Sequence, residues 1–332
     1  MRVGVIGLGV GEQHARAFAG CAGASLAAVC DPDPTRLAEV SARFPGVRAT
    51  TDPRAVLADP AIDLVSIASP DDAHFDQALT GLREGKHVFV EKPLCRSLGE
   101  LAALETTWRA RRRQLLASNL VLRAAPLYRW LREAVRAGEL GQVYAFDGDY
   151  LYGRLHKLTD GWRGAIEGYS VMLGGGIHLV DLMLWVTGER PRAVSASGSG
   201  IATEGSHFRG ADFVAATFTF PSGLVGRVTA NFGCVHPHHH VVRVFGTEAS
   251  VVHDDQGPRL FRTRDPRERP VPLDLDPLPA SKGALVPQLV GAVRDVQDTS
   301  DWTHHELDVV ACCLAADRAL AEGGPVGIDY RD

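Results

Sequence analysis

Hydrophobic and polar positions follow two alternating periods through the first 120 residues. Short apolar runs such as "RVGVIG" and "SLAAVC" predict buried strands, and helical spacing follows them, as in "EQHARAFAGCA". The later runs "DLVSIAS", "KHVFVEK" and "QLLAS" predict three more strands. Strands and helices that alternate in this way form parallel βαβ units with right-handed crossovers. The pattern therefore predicts an α/β fold in which residues 1–120 form a doubly wound parallel sheet.

The pattern changes after about residue 120. The amphipathic helix "PLYRWLREAVRAGELG" is followed mainly by strand-like runs, and two of these, "DFVAATFTF" and "LVGRVTANFG", are joined by the hairpin signal "PSG". The segments "HLVDLMLWVTG" and "HHELDVVACCLAADRALAEGG" predict helices that cover the sheet. Residues 121–332 are predicted to form an α+β domain with a large, mostly antiparallel open sheet. The Pro- and Gly-rich residues 257–279 are interpreted as surface loops.

Composition narrows the class of protein. The 332 residues are 45% hydrophobic and 23% charged, which is typical of a globular protein of about two domains. A net charge of -5 argues against a nucleic-acid partner, and the densest basic run, residues 109–113, is interpreted as a solvated helix end. No segment approaches the roughly 20 apolar residues of a membrane span. The N-terminus lacks a secretory pattern and the six cysteines are scattered, so a cytoplasmic location is expected.

A glycine-rich loop lies between the first predicted strand and the first predicted helix. Gly7 and Gly9 fit the first two positions of the G-x-G-x-x-G dinucleotide pattern, but its third position holds Glu12. We expect a shortened loop, including Val10, in which Gly11 allows close packing of helix and strand. Backbone N–H groups at such a helix start bind pyrophosphate. The first domain is therefore predicted to be a Rossmann domain, provided that the Glu12 carboxylate points away from the pyrophosphate.

The second predicted strand ends on an acidic residue. Asp31 stands about 20 residues after the glycine loop, the position of the acid that binds ribose hydroxyls in Rossmann domains. A carboxylate there repels a 2′-phosphate, and Pro32 and Asp33 follow it without an arginine. NAD is therefore predicted to be preferred over NADP.

Two segments carry candidate catalytic residues. Lys92 ends a predicted strand and precedes Pro93, at the edge where open α/β sheets bind ligands, and its ammonium group could stabilise a developing alkoxide. In "GGGIHLVDLMLW", His178 lies in the first turn of a predicted helix, and Asp181 lies on the same face. A histidine near a helix N-terminus tends to be neutral and ready to accept a proton, and Asp181 could orient its ring.

Two weaker signals leave alternatives open. In "DGWRG", Trp162 and Arg163 could bind a sugar face and its hydroxyls, or they could be an ordinary surface pair. In "VHPHHHVV", His236, His238 and His240 would share one face of a strand. No acid or cysteine stands nearby at ligand spacing, so no metal is predicted, and the run could instead border a substrate pocket.

The combination and order of these motifs resemble the Gfo/Idh/MocA oxidoreductases over nearly the whole chain. Besides the glycine loop, the resemblance rests on "SIASPDDAH", "EKP", "GELGQV", "GGGIHLVDLMLWVTG" and "VFGTEAS". It implies an NAD-dependent dehydrogenase or ketoreductase that acts on a sugar, a sugar derivative or a cyclitol. Lys92 corresponds to the family's catalytic lysine, His178 to its proton-transferring histidine and Asp181 to the acid three residues later.

The resemblance also extends the predicted sites. Pro70 and His74 match the loop on the nicotinamide side of the cofactor. The full set of predicted cofactor residues is Gly7, Gly9, Val10, Gly11, Asp31, Ser69, Pro70, His74, Glu91 and Lys92. The predicted substrate residues are Lys92, Arg123, Tyr152, Trp162, Arg163, Tyr169 and His178.

One departure from the family pattern stands out. Many inositol-dehydrogenase-like members have an aspartate four residues before the histidine, where this chain has Gly174. Either His178 works without that acid, or Tyr169, Tyr152 or Asp181 supplies the missing group.

Two other functions are compatible with the same residues. One is a glycoside-cleaving enzyme that oxidises its sugar transiently and returns the hydride. The other is a non-catalytic, NAD-loaded sensor or regulator, against which the intact Lys92 and His178 argue. A homodimer or homotetramer assembled through the second sheet is also expected, because that sheet has more apolar strand residues than its helices can cover.

Overall fold

The computed structural model describes residues 1–111, 114–295 and 297–330, and these form two compact units. The first unit comprises Met1–Ala124 and Pro279–Val310, and the second comprises Ala125–Leu278 and the chain from Ala311 onwards. The segment Pro279–Val310, which the sequence analysis assigned to the second domain, thus packs with the first unit. Residues 112 and 113 of the basic run lie outside the described residues.

The described part of the first unit contains one six-stranded parallel sheet. Its strand order is β3-β2-β1-β4-β5-β6, which confirms the predicted doubly wound Rossmann arrangement. The strands are β1 (Arg2–Ile6), β2 (Ser25–Cys30), β3 (Arg48–Thr50), β4 (Leu64–Ile67), β5 (His87–Val90) and β6 (Leu116–Ser118). The helices are α1 (Gly11–Ala19), α2 (Pro34–Ser41), α3 (Arg54–Leu57), α4 (His74–Arg83), α5 (Leu98–Arg109) and, after the second unit, α10 (Val286–Arg294).

Local signals in the sequence set several of these helix ends. The Asp33 side chain accepts hydrogen bonds from the amides of Thr35 and Arg36 and so caps α2, which begins with Pro34. Ser97 caps α5 in the same way. After α4, Gly85 adopts a φ of 82°, the left-handed conformation that glycine permits at a helix end.

The described part of the second unit contains a nine-stranded sheet. Its order is β14-β13-β12-β11-β7-β10-β9-β8-β15. Strand β10 runs parallel to β7, and all other neighbouring strands are antiparallel. This arrangement confirms the predicted mostly antiparallel sheet. The strands are β7 (Val143–Leu151), β8 (Ala193–Ser199), β9 (Phe213–Thr219), β10 (Val225–Asn231), β11 (His239–Gly246), β12 (Ser250–Asp254), β13 (Gly257–Phe261), β14 (Val271–Pro272) and β15 (Val326–Gly327). The helices are α6 (Pro126–Arg136), α7 (His156–Thr159), α8 (Trp162–Ala165), α9 (Ile177–Thr187) and α11 (Ser300–Glu322), and the unit boundary falls within α11 after Val310.

The interpretation of residues 257–279 as loops alone is wrong. Strands β13 and β14 lie in this region, and β13 pairs with β12 through a hairpin whose Gly257 has a φ of 82°. Pro258 and Arg259 interrupt the apolar alternation on these half-exposed strands, which is why the sequence pattern does not reveal them.

Helix α9 packs closely on one face of the second sheet. A Cβ atom on Gly148 of β7 would lie 3.2 Å from the Leu179 side chain, and one on Gly226 of β10 would lie 2.2 Å from the sulfur of Met183. The small residues of the two central strands therefore let the helix approach the sheet. Within the described residues, no helix is long and apolar enough to cross a membrane.

Candidate active site

The glycine loop of the first unit has the shape of a phosphate-binding turn. Gly7 has a φ of 83°, and a Cβ there would lie 2.4 Å from the Ala68 carbonyl oxygen, so this position requires glycine. A Cβ on Gly11 already lies 3.1 Å from Ala68 Cβ and 3.2 Å from Val5, which is the close helix–strand contact predicted for Gly11. At Gly9 a Cβ would meet no described atom within 4 Å. The open backbone at Gly9, beside the N-terminus of α1, fits a dinucleotide pyrophosphate.

Asp31 holds this loop in place. One carboxylate oxygen accepts a hydrogen bond from the Leu8 amide at 2.7 Å, and the other accepts from the Asp33 amide at 2.9 Å. The side chain is buried, and each oxygen keeps a second lone pair that can accept from a ribose hydroxyl. Sequence reasoning predicted the ribose contact but missed the contact that links the acid to the glycine loop.

The charge of Glu12 is paired within the protein. Its carboxylate lies 2.6 Å from the Arg16 guanidinium, one turn along α1, and also pairs with Arg43 after α2. The hydrogen bond from Arg16 and the pairing with Arg43 lower the pKa of Glu12. The two guanidinium groups thus offset the negative charge at the start of α1, which removes the main objection to a pyrophosphate there.

Lys92 follows β5 at the carboxyl edge of the sheet, the edge that carries the glycine loop. The preceding residue, Glu91, is anchored there, because its amide donates to the Ile67 carbonyl at 2.7 Å and its carboxylate accepts from Asn119 at 2.7 Å. His14 of α1 lies 3.2 Å from the same carboxylate oxygen. Burial would raise the pKa of Glu91, but the hydrogen bonds from His14 and Asn119 hold it at about 2. Glu91 is therefore ionised and bound internally.

His74 contacts the residue that follows Lys92, as His14 and Asn119 contact the residue that precedes it. The ring is fully buried, with Nδ1 2.7 Å from the Pro93 carbonyl oxygen and Nε2 2.9 Å from the Ser69 carbonyl oxygen. The neutral ring can donate one of these hydrogen bonds and the imidazolium can donate both. His74, predicted as a cofactor residue, thus connects the loop at Ser69 and Pro70 to the residue that follows Lys92.

His178 lies in the second unit, at the start of α9. A π-helical turn, Met172–Gly176, leads into α9, so the three glycines directly precede the first turn that carries the imidazole. His178 is 7% exposed and Asp181 is fully buried. The Tyr150 ring lies 6.2 Å from the His178 ring, and the His240 ring lies at the same distance.

Tyr150 is the member of this group that sequence reasoning missed. Its ring centroid lies 5.3 Å from both His238 and His240 and 5.7 Å from Tyr152. Burial raises the pKa of Tyr150, so the phenol keeps its proton. The signal was present in the strand alternation, since Tyr150 shares the α9 face of β7 with the buried Phe146.

The histidine run divides into two pairs. β11 begins only at His239, and His238 and His240 approach Tyr150, whereas His236 and His239 lie 3.4 and 3.9 Å from Asp255. The prediction that His236, His238 and His240 share one face is therefore wrong for His236. Among the described residues, no group of three or more potential ligand residues is arranged to hold a metal ion.

The other residues predicted to bind substrate lie in both units. Tyr152 and Tyr169 lie 4.6 and 6.4 Å from the Phe232 ring and so belong to the aromatic group around Tyr150. Arg163 stacks over the Trp162 ring at 4.5 Å on the partly exposed helix α8. Arg123, in contrast, is a buried residue of the first unit.

The phenol of Tyr169 occupies the space beside Gly174. A Cβ atom on Gly174 would lie 2.0 Å from the Tyr169 hydroxyl oxygen and 2.6 Å from Cζ. Position 174 therefore cannot carry a side chain while Tyr169 keeps this conformation. In this chain Tyr169 therefore leaves no room for an acidic side chain at position 174.

Gly174→Ala should consequently destabilise the protein. Overpacking of this kind typically costs about 1–3 kcal/mol, and thermal unfolding would measure it. Gly291→Ala is the matched control, because a Cβ on that helical glycine meets no described atom within 4 Å. In a Tyr169→Leu background the further change Gly174→Ala should cost much less, because the phenol that the new Cβ would meet is absent. Equal stability of the two single glycine variants would contradict the steric argument.

One family of nicotinamide-dependent oxidoreductases combines a Rossmann unit with a second unit that contains a large open sheet. Residues 1–118 match the family model "Oxidoreductase family, NAD-binding Rossmann fold", and residues 128–252 match "GFO/IDH/MocA C-terminal domain". The chain belongs to the Gfo/Idh/MocA family.

Individual relatives share about a quarter to a third of their aligned residues with this chain. An inositol 2-dehydrogenase of Saccharopolyspora erythraea is 31% identical over 194 residues, which span 57% of this chain and 54% of that protein. A myo-inositol 2-dehydrogenase of Thermotoga maritima is 27% identical over 264 residues, 77% of this chain and 75% of the relative. Among solved structures, a levoglucosan dehydrogenase in complex with NADH is 23% identical and superposes with a TM-score of 0.86 over 100% of both chains.

Proposed function

We propose that the protein is an NAD(H)-dependent oxidoreductase that transfers a hydride between the nicotinamide and a secondary alcohol or ketone of a sugar, a sugar derivative or a cyclitol. The observation that carries the proposal is the carboxyl edge of the first sheet. There the open glycine loop, the loop-bound Asp31 and Lys92 are presented together. The inositol and levoglucosan dehydrogenases among its relatives support the choice of substrate class.

The residues would divide the work as follows. Gly7, Gly9 and Gly11 would hold the pyrophosphate, and Asp31 would accept from ribose hydroxyls. The bound nicotinamide supplies the hydride acceptor or donor. Lys92 would donate a hydrogen bond to the substrate oxygen and stabilise its negative charge. His178 would take the proton from that oxygen.

The second unit would recognise the rest of the substrate. Tyr152 and Tyr169, whose rings pack around Phe232, would contribute apolar ring faces and hydroxyl groups that suit a polyol. Because the Tyr169 phenol fills the space beside Gly174, it is the strongest of the three candidates for the group that replaces the family's acid.

NADH formation across inositols, aldoses, uronates, anhydrosugars and nucleotide sugars tests the proposal. Turnover with at least one of these alcohols, or NADH consumption with the matching ketone, is expected. Cleavage of a glycoside without net NADH would instead favour the hydride-returning enzyme. Tight NADH binding with no turnover of any compound would favour a sensor.

We further propose that NAD is preferred over NADP. The carboxylate of Asp31 would repel a 2′-phosphate, and the nearby Arg43 is already paired with Glu12. The ratio of kcat/KM values for the two cofactors should favour NAD by at least about 10-fold, corresponding to about 1.4 kcal/mol. Asp31→Asn should reduce this ratio because it removes the negative charge. The asparagine oxygen can still accept the hydrogen bond from the Leu8 amide. Equal or higher efficiency with NADP in the unmodified protein would refute the preference.

A homo-oligomer formed through the second sheet is also proposed. The face opposite α9 carries a half-buried ion network in which Arg227 and Arg243 pair with Asp147 and Asp149, and Val225 lies beside it with 44% of its side chain exposed. Such a surface of pre-ordered charges and apolar side chains suits contact with a second copy.

Sedimentation at micromolar concentration should give a species larger than the monomer. Val225→Glu should shift it towards the monomer, because the substitution buries an unpaired charge in the proposed contact. Val271→Glu, at a valine of the edge strand β14 that is 54% exposed, is the matched control and should leave the assembly unchanged. A monomer in the unmodified protein would exclude the proposed assembly.

A further inference from the structure

The residue before Lys92 is held by a buried polar cluster that the proposed chemistry does not use. We define this cluster as His14, Ser66, Glu91 and Asn119. His14 comes from α1, Ser66 from β4, Glu91 from the end of β5 and Asn119 from the end of β6. The rings and side chains of His14, Ser66 and Asn119 are at most 1% exposed. His14 and Asn119 contact the Glu91 carboxylate directly, and Ser66 contacts it through His14.

The orientation of the Asn119 amide follows from its neighbours. Its Nδ2 lies 2.7 Å from Glu91 Oε1 and 2.8 Å from the Lys282 carbonyl oxygen, and both of these atoms only accept hydrogen bonds. Both amide hydrogens are therefore used on oxygen atoms, and the reverse orientation would place oxygen against oxygen.

The use of both Asn119 amide hydrogens also determines that Nε2 of the His14 ring carries a hydrogen. Asn119 Nδ2 lies 3.1 Å from His14 Nε2 but has no hydrogen left to give. Nε2 must therefore carry its own hydrogen, which points to Glu91 Oε1 at 3.2 Å. The other ring nitrogen, Nδ1, lies 3.0 Å from the Ser66 hydroxyl. One carboxylate oxygen of Glu91 thus accepts from two donors fixed by different elements.

We propose that His14 and Asn119 are positioning residues that act through Glu91 to fix Lys92 at the carboxyl edge of the sheet. The proposal rests on the proposed function, in which Lys92 contacts the reacting oxygen. Glu91 is joined directly to Lys92 along the chain, so a carboxylate held from two sides restricts the backbone from which the lysine projects. On the other side, His74 contacts the Pro93 carbonyl and restricts the following residue.

Histidine variants separate positioning from simple loss of stability. His14→Gln keeps an N–H donor near the place of Nε2, whereas His14→Asn reaches only the place of Nδ1. Because a misplacement of about 1 Å can cost about 100-fold in rate, His14→Asn should lower kcat by about 10- to 100-fold with little change in NADH affinity. His14→Gln should recover most of that loss.

His87→Asn is the matched control. His87 lies at the opposite end of β5, where its Nδ1 accepts from the Leu115 amide at 3.0 Å. An asparagine oxygen at the place of Nδ1 can still accept from the Leu115 amide, so this substitution should leave kcat within a few fold. Equal losses of kcat in the two variants, or equal losses in His14→Asn and His14→Gln, would mean that the cluster serves only stability.

A second readout does not depend on turnover. The chain has only four lysines, Lys86, Lys92, Lys157 and Lys282, so reductive methylation with ¹³C-formaldehyde gives few methyl signals. The Lys92 signal, identified by its absence in Lys92→Met, should shift in His14→Asn, return towards its original position in His14→Gln and stay fixed in His87→Asn. An unshifted Lys92 signal in His14→Asn would overturn the positioning role, whereas a fully active Lys92→Met would overturn the proposed function instead.

Discussion

Lys92→Met should abolish nearly all turnover while NADH still binds. The methionine side chain has a similar length and no charge, so it removes the hydrogen bond to the substrate oxygen without a large change in packing. Loss of a single donor to a developing oxyanion typically lowers kcat by about 10²–10³-fold. NADH affinity, measured by fluorescence titration, should change by no more than a few fold, because Lys92 would serve the substrate oxygen and not the pyrophosphate.

Lys157→Met provides the comparison for this result. Lys157 lies on the short helix α7 of the second unit, away from the glycine loop along the chain. Its replacement should leave both kcat and NADH affinity near their original values. A Lys92→Met protein with more than about a tenth of the original kcat would remove the lysine from the mechanism, since even one lost donor is expected to cost more.

His178→Ala should be the second most damaging substitution. An alcohol has a pKa of about 16 and keeps its proton at neutral pH, so its oxidation needs a positioned base. Such a base typically raises the rate by about 10²–10⁴-fold. The variant should lower kcat more than it raises KM, and the acid limb of its pH–rate profile should become flatter. His253→Ala, which removes another buried histidine of the second unit, should leave the shape of the profile unchanged.

Tyrosine variants decide whether the proton route runs through the imidazole alone. Tyr169→Phe removes the hydroxyl that lies beside Gly174 but keeps the ring, and Tyr152→Phe does the same two residues after Tyr150. If His178 is the base, each should cost much less in kcat than His178→Ala. An equal loss in Tyr169→Phe would replace the proposed route with a tyrosine relay, for which the phenol at the site of the family's acid would be the natural member.

Features encoded in a few neighbouring residues were predictable from the sequence. The glycine loop needs a left-handed residue at Gly7 and a small one at Gly11, and both requirements appear directly in the order of residues. The carboxyl-edge position of Lys92 follows from the apolar run before it and from Pro93 after it. The open, mostly antiparallel second sheet was predictable because its central strands alternate strongly.

Features that depend on the folded arrangement were not predictable in this way. His14 and Asn119 are 105 positions apart in the sequence, and only the strand order of the first sheet and the packing of α1 on it bring them to Glu91. The contact of Tyr169 with Gly174 depends on the π-helical turn Met172–Gly176, which contains Gly174 and which no spacing rule indicates. The return of Pro279–Val310 to the first unit is likewise a property of packing, since its apolar residues would suit either unit.

That return of the chain has a consequence for the order of events on the ribosome. Val286, Leu289 and Val290 of α10 belong to the same buried cluster as Val3, Val5 and Phe18 near the N-terminus. The core of the nucleotide-binding unit therefore stays incomplete until strands β7 to β14 of the second unit have been synthesised, because α10 follows them in the chain. For most of translation α1 is covered by the first strands but not by α10, so part of its apolar surface stays accessible to solvent. A gene fragment cut at the boundary near residue 124 would inherit the same exposed surface permanently.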